Sequence, residues 1–386
     1  MAIFPSMKKA FNSLLALLVA VASFSQPLSE QAEISVITCG PGQEAVFTAF
    51  GHSAFRVYDP VNGINAAFNY GVFDFDQPNF YLNFARGHNR YRLAVQDFER
   101  FEYVYQYYNR YVHEQVLNLT LEQKQELFDY LIWNAQPENQ FYFYDYFYDN
   151  CATKLPEIVQ KVFGVSVVFD GSYITKPLSI RALTDLYLKY QPWGDLGIDL
   201  CLGLPMDKIA TPYEHMFLPD YVEYGFDHAT INGKPLVKQK VIRYEARPET
   251  FSNGIFQPLY VFSLFAVITL ALTLYDFKRR KTSNWFDALL FGAIGLIGVL
   301  LFLLWVATDH RAAANNLNVL WALPTHFASA FLVFKPREWV KKYFLIVLIT
   351  NSLLLVSWAW LPQTLHFSLV PIVIALSARA YAQYKR

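Results

Sequence analysis

The chain has 386 residues, enough for two domains of ordinary size, and its formal net charge is zero. This balance leaves no basic excess to meet phosphates, which argues against nucleic acid as the main partner. Charged residues make up only 17% of the chain and hydrophobic residues 54%, whereas a soluble domain usually carries roughly 25% charge. The composition therefore indicates a membrane protein.

The N-terminus, residues 1–25, has the pattern of a secretory signal peptide. Lys8 and Lys9 form a positive n-region, residues 11–21 form an apolar h-region, and small residues follow. This order predicts export from the cytoplasm with cleavage near Ser25. An uncleaved N-terminal anchor is the alternative interpretation.

The next segment, residues 27–255, has the mixed pattern of a globular α+β domain. Segments 99–108 and 112–119 are ambiguous between helix and strand. Thr120 is predicted to open a helix that reaches about Asn134, because Glu122 and Gln123 follow in the first turn. Alternation and turn signals predict strands at residues 33–38, 53–58, 65–75 and 91–95.

A second helix is predicted from Cys151 to about Val162, with Asn150 as its N-cap. Pro156 removes a backbone donor, so this helix must kink or begin irregularly near Thr153. The aromatic run at residues 141–148 fits either a membrane-interface surface or a tyrosine-rich core strand.

Two short segments could carry chemistry. His52 follows a glycine and enters an alternating strand, and Cys151 lies where a helix begins. The positive end of a helix favours thiolate over thiol, and the thiolate is the nucleophile. The alternative is that Cys151 is a small buried hydrophobe and His52 an ordinary structural residue.

The cysteine count is odd, so an exported chain must leave at least one thiol free or pair it between chains. Pairing Cys39 with Cys201 would leave Cys151 free. No metal site or cofactor is predicted, because the eight His and three Cys show no ligand spacing such as CxxC or HxxxH.

The C-terminal part, residues 256–386, is predicted to be an all-α membrane domain with five transmembrane helices, since each apolar run approaches the 17–25 residues that cross a bilayer. Basic residues cluster in the loops at 278–281 and 335–342 and at the C-terminus, which places these parts in the cytoplasm. The five runs are residues 259–275, 285–307, 317–334, 343–361 and 365–381.

A polar cluster lies between the second and third runs, on the outer face of the membrane. His310, Asn316 and Asn318 are predicted to contact lipid headgroups or substrate, because polar groups that face lipid are costly. An ordinary wet loop is the alternative. Pro324 and His326 predict a broken helix beside a cavity.

Several of these motifs occur together in a known family. The order of the His strand before the Cys helix resembles the circularly permuted, NlpC-like branch of the papain-like superfamily. More closely, the chain resembles the Lnb family of membrane-bound lipoprotein N-acyltransferases. The matching segments are GHSAFRV at 51–57, NYG at 69–71, NCAT at 150–153, PWGDLG at 192–197, MFLP at 216–219, and DH at 309–310 with NLNVLWALP at 316–324.

The resemblance implies roles for individual residues. Cys151 matches the nucleophile and His52 the general base, while papain-like sites also use a third polar group that orients the imidazole. Asn69 is the candidate for that third group, although it could equally cap a turn. Asn150 is expected to cap the helix or to shape an oxyanion site beside the backbone N–H of Cys151.

The implied function is acyl transfer at the bacterial inner membrane. An acyl chain would pass from a phospholipid to Cys151 as a thioester, and then to the α-amino group of an apolipoprotein's N-terminal diacylglyceryl cysteine. Two alternatives stay open at this point. One is an envelope cysteine peptidase or amidase that acts on peptidoglycan peptides, and the other is a non-catalytic envelope binding module.

Overall fold

The computed structural model describes residues 26–73, 78–335 and 337–386. The predicted signal peptide and the last two residues of the predicted strand 65–75 lie outside the described residues. The strands are β1 Glu33–Cys39, β2 His52–Asp59, β3 Ile64–Val72, β4 Arg90–Asp97, β5 Val112–Leu117, β6 Phe141–Phe143, β7 Val167–Val168, β8 Thr230–Ile231, β9 Lys234–Pro235 and β10 Val237–Tyr244.

Helices alternate with these strands in the first two thirds of the chain and stand alone in the last third. Each is an α-helix, and shorter 3-10 helices connect some of them. The helices are α1 Phe80–Arg86, α2 Phe98–Tyr107, α3 Leu121–Asn134, α4 Lys154–Phe163, α5 Ile180–Leu188, α6 Pro192–Cys201, α7 Pro212–His215, α8 Pro219–His228, α9 Pro258–Arg279, α10 Asn284–Val306, α11 Thr325–Leu332, α12 Glu338–Ser357 and α13 Val370–Lys385.

Seven strands form one antiparallel sheet in the order β10-β5-β1-β2-β3-β4-β6. Its interior strand β1 is covered on both faces, because successive side chains point to opposite sides of a strand. Ile34 and Val36 join the core with α3 and α4. Ile37 and Cys39 pack on the other face against Phe98 of α2.

Local sequence signals account for several element boundaries. The helix predicted to open at Thr120 is confirmed, and Thr120 with Gln123 forms a capping box at its start. The ambiguous segment 99–108 is mainly helix, whereas 112–119 is mainly strand. The first segment packs on the sheet as α2 and the second pairs within the sheet as β5, so tertiary contacts decided between helix and strand.

Three helices of the membrane domain are long and apolar enough to cross a bilayer. They cover Pro258–Arg279, Asn284–Val306 and Glu338–Trp360, the last of which ends in a 3-10 turn, and their mean hydropathies are 1.9, 2.7 and 1.8. The last helix, α13, has 16 residues. The number of five spans stays a prediction.

The third predicted span, residues 317–334, is not one continuous helix. The structure has a 3-10 helix at Leu317–Leu320 and then α11, whose eight residues cover about 12 Å of the roughly 30 Å hydrocarbon core. The break falls at Pro324, as predicted. Gly298 of α10 allows close packing here, because a Cβ at this position would lie 1.9 Å from the carbonyl oxygen of Ala322.

Candidate active site

His52 is the first residue of β2 and faces the neighbouring strand β3. Its Nε2 lies 2.7 Å from Oδ1 of Asn69. An amide oxygen can only accept a hydrogen bond, so Nε2 carries the proton and Nδ1 is left to serve the thiol. Gly51, just before His52, has a φ of +80°, and a Cβ there would lie 2.7 Å from the carbonyl oxygen of Cys39. Glycine therefore lets the chain turn tightly into this strand.

Cys151 lies in the turn that leads into α4. Oδ1 of Asn150 accepts hydrogen bonds from the backbone N–H groups of Ala152, at 2.8 Å, and Thr153, at 2.9 Å. The helix proper begins only at Lys154. The irregular start predicted from Pro156 is therefore present, and Asn150 holds the turn that presents the thiol.

The side chain of Asn150 is fully engaged within the protein. Its Nδ2 donates to the backbone carbonyls of Tyr146, at 2.7 Å, and Phe217, at 2.8 Å. No amide hydrogen remains to stabilise an oxyanion, and the N-cap position of α4 is Thr153, so Asn150 holds the turn that precedes the helix. Phe217 belongs to the segment at 216–219 that the family resemblance identified, and its carbonyl anchors the Cys151 turn.

Cys151 and His52, both half-buried, interact closely enough that each shifts the pKa of the other. Burial by itself raises the pKa of the Cys151 thiol, but the His52 imidazolium and hydrogen bonds from the backbone N–H groups of Ser53 and Ala152 outweigh it and lower that pKa. The pKa of His52 is raised: burial opposes this, but the thiolate and the Asn69 hydrogen bond prevail. Both shifts favour a thiolate–imidazolium pair.

Gly71 lies beside Cys151, a contact that the sequence did not reveal. Its φ is +85°, and a Cβ at this position would lie 3.3 Å from Cβ of Cys151 and 3.9 Å from the ring of Tyr144. On the other side, the His52 ring stacks on Tyr105 with 12° between the planes and 6.1 Å between centroids. The available signal for Gly71 was the Tyr-Gly pair within a strand, where glycine often marks a close approach.

All three cysteines are free, so the predicted pairing of Cys39 with Cys201 is wrong. Cys39 lies in β1 opposite His52, and burial raises the pKa of its thiol. Cys201 ends α6, and burial raises the pKa of its thiol as well. Of the three thiols, the one with a lowered pKa is Cys151.

Asn316 and Asn318 were predicted to bind substrate, but the structure buries both of them to 1% exposure. Nδ2 of Asn316 donates to the backbone carbonyl of Leu200 at 2.7 Å, and its Oδ1 accepts from the N–H of Asn318 at 2.9 Å. Oδ1 of Asn318 accepts from Trp321 Nε1 at 2.9 Å. These amides fasten the membrane domain to α6, and their predicted contact with substrate stays a prediction.

His310 lies apart from both groups, on the loop that follows α10. Its Nε2 donates to the backbone carbonyl of Phe84 at 2.9 Å. The structure thus places His310 against α1 rather than against Cys151, and its predicted contact with headgroups or substrate stays a prediction.

The aromatic run at 141–148, predicted as either a membrane-interface surface or a core strand, contains both exposed and buried rings. Phe141 and Phe143 of β6 are exposed to 43% and 63%, whereas Phe147 is buried at 6%. The run therefore supplies an exposed edge strand first and one core side chain, Phe147, afterwards.

Two family models match the chain. Residues 28–185 match the Lnb N-terminal periplasmic domain, and residues 250–386 match the Lnb transmembrane domain. No curated protein matches the chain, and no solved structure does. The two matches assign the mixed α/β part to the periplasm and the helical part to a membrane.

Proposed function

Because this chain belongs to the Lnb family, we propose that it is a lipoprotein N-acyltransferase. It moves an acyl chain from a phospholipid to the α-amino group of a lipoprotein's N-terminal diacylglyceryl cysteine. The observation that carries the proposal is the half-buried Cys151–His52 pair with its lowered thiol pKa, in a periplasmic domain fastened to a membrane domain. A thiol suits this reaction because a thioester reacts readily with amines.

In the first step, the Cys151 thiolate attacks the ester carbonyl carbon of the phospholipid. The C–O bond of the ester breaks, the lysophospholipid oxygen takes the proton from the His52 imidazolium, and a thioester remains on Cys151. Asn69 keeps Nε2 of His52 protonated and therefore aims Nδ1 at the reacting atoms.

In the second step, the lipoprotein amine attacks the thioester carbonyl. Neutral His52 accepts the amine proton, the C–S bond breaks, and the thiolate–imidazolium pair is restored beside a new amide. The backbone N–H of Cys151 makes no hydrogen bond within the described part of the chain. This free donor supports a role in stabilising the oxyanion of both steps.

The location fits the two substrates. We place the enzyme in the bacterial inner membrane with a cytoplasmic C-terminus, because basic residues at 278–281 and 335–342 mark the cytoplasmic loops. Both the acyl donor and the acceptor are then anchored in the leaflet that the periplasmic domain faces. A peptidase acting on peptidoglycan would not need this membrane domain.

The test uses a bacterial strain that lacks its own N-acyltransferase and mass spectra of a lipoprotein N-terminus. The full chain and the Cys201→Ala control should both give an N-acylated product, and Cys151→Ala should leave the free amine. A free amine in the presence of well-expressed unmodified chain contradicts the acyltransferase, and acylation by Cys151→Ala contradicts the thiol mechanism. Cell-wall fragments released by the purified chain would instead identify a peptidase.

A further inference from the structure

The short helix α1 exposes large apolar side chains to its surroundings. Tyr81 is 79% exposed, Leu82 57% and Phe84 56%. Grouped apolar exposure of this kind marks an interaction surface, whereas single exposed apolar residues are ordinary.

This helix is fastened to the membrane domain at its C-terminal end. The N–H of Asp309 donates to the carbonyl of Arg86 at 3.0 Å, and the Asp309 carboxylate contacts the His88 ring. His310 bonds the carbonyl of Phe84. Gly87 permits this approach, because a Cβ there would lie 3.3 Å from the Asp309 backbone.

The attachment point lies close to the end of a spanning helix. Helix α10 ends at Val306, and the three residues from there to Asp309 can cover at most about 10 Å. Val306 is 55% exposed and Trp305 36%, so the apolar surface of α10 continues toward α1. Arg86 and Arg311, both exposed at this junction, carry the charge that complements lipid phosphates.

From α1 a series of aromatic rings leads to the thiol. The Phe80 and Phe73 centroids are 6.2 Å apart, Phe73 and Tyr91 are 5.1 Å apart, and Tyr91 stacks on Tyr144 at 4.1 Å. Tyr144 lies beside Gly71, whose Cα in turn adjoins Cys151. All four rings are partly exposed, so this aromatic surface leads from the exposed apolar helix to Gly71 beside the nucleophile.

We propose that α1 lies in the outer leaflet of the bilayer, with Tyr81, Leu82 and Phe84 among the acyl chains, and that phospholipid reaches Cys151 along the aromatic surface beside it. The membrane contact rests on the exposed apolar side chains of α1 and on its attachment to the loop that follows α10. The delivery of phospholipid rests on the proposed acyltransferase function.

The membrane contact is tested with the full chain in vesicles of phosphatidylethanolamine and phosphatidylglycerol. Benzoylphenylalanine replaces Tyr81, and lipid adducts are measured by mass spectrometry after irradiation. Leu300 of α10, 54% exposed, is the matched site within the membrane. Val165, 96% exposed beyond the far end of α4, is the matched site outside it.

Position 81 should give lipid adducts near the yield of position 300 and on the order of tenfold above position 165, because an aromatic side chain in the interface meets acyl chains continually. A yield no higher than that of position 165, or adducts with another protein in place of lipid, overturns the membrane contact.

Delivery of phospholipid is tested with the double variant Leu82→Glu, Phe84→Glu. Two carboxylates disfavour insertion, so acyl transfer from vesicle phospholipid should fall about tenfold or more, while alkylation of Cys151 by iodoacetamide stays unchanged. Transfer at the unmodified rate overturns the delivery. If the unmodified chain transfers no acyl group at all, the proposed function fails, whereas the adduct experiment still decides the membrane contact.

Discussion

Two polar clusters are prominent in the sequence, and the structure uses them in opposite ways. At the Cys151–His52 pair, Asn69 takes up one ring nitrogen of the histidine and leaves the other for the thiol. At the junction with the membrane domain, Asn316 and Asn318 are buried and hydrogen-bonded inside the protein. At the candidate active site one ring nitrogen of His52 stays available for the thiol. At the domain junction the amides of Asn316 and Asn318 are used in hydrogen bonds within the protein.

The four asparagines make this comparison concrete. Asn150, Asn316 and Asn318 all bond backbone groups and hold segments of chain together. Asn69 bonds the ring of a titrating histidine. The residue type is the same in each case. The hydrogen-bond partner therefore decides whether the amide orients a candidate catalytic side chain or stabilises the fold.

The largest expected effect comes from His52→Ala. Loss of the base should slow acyl transfer about 10²–10⁴-fold. Because the imidazolium lowers the Cys151 pKa, the variant's iodoacetamide alkylation should require a higher pH, toward the ordinary thiol range. Rates measured across pH check this, with His228→Ala, an exposed histidine, as control. An unshifted alkylation profile in His52→Ala would contradict the ion pair.

Asn316→Ala tests the other side of the comparison. It removes the hydrogen bonds of Asn316 with the Leu200 carbonyl, the Asn318 N–H and Gln363 Nε2, which should lower the free energy of unfolding by about 1–3 kcal/mol. Thermal unfolding in detergent measures this loss, and alkylation of Cys151 in the folded variant should proceed at the unmodified rate. Asn118→Ala, which removes one exposed bond to Pro235, should cost less. Loss of turnover without loss of stability would return Asn316 to a substrate role.

Comparing Gly71→Ala with Gly63→Ala separates the effect of backbone strain on stability from the effect of the contact with Cys151 on its reactivity. Gly71 and Gly63 both have positive φ, but a Cβ at position 63 meets nothing within 4 Å. Each substitution to alanine should cost roughly 1–2 kcal/mol of stability for the left-handed conformation. Gly71→Ala should additionally slow alkylation of Cys151. Equal alkylation rates in the two variants would show that the contact with Cys151 does not matter.

The smallest expected effect is that of Asn69→Ala, about 0.5–1.5 kcal/mol for the lost hydrogen bond. This bond raises the His52 pKa, so its removal lowers that pKa. The imidazolium is lost as pH rises through the His52 pKa, and the alkaline limb of the activity profile should therefore move to lower pH. Asn65→Ala on the same strand, which removes a bond to Arg56, should leave the limb in place.

The sequence by itself determined the features that depend on neighbouring residues. Alternation located the strands around His52 and Asn69, the Thr120 capping signal located α3, and the apolar runs located three spanning helices. Pro156 predicted the irregular start of the helix after Cys151. Each of these signals is local, because capping, proline geometry and the spacing of apolar residues along a helix or strand involve only nearby residues.

Only the tertiary structure decided what depends on distant partners. Asn316 meets a carbonyl 116 residues away, and Asn150 meets one 67 residues away. The absence of a bond between Cys39 and Cys201, the closeness of Gly71 to Cys151 and the fastening of α1 to the loop after α10 also depend on distant partners. Hydrogen bonds and close packing join segments that are far apart in the chain. A local sequence pattern therefore could not reveal which polar side chains are hydrogen-bonded within the protein and which remain available.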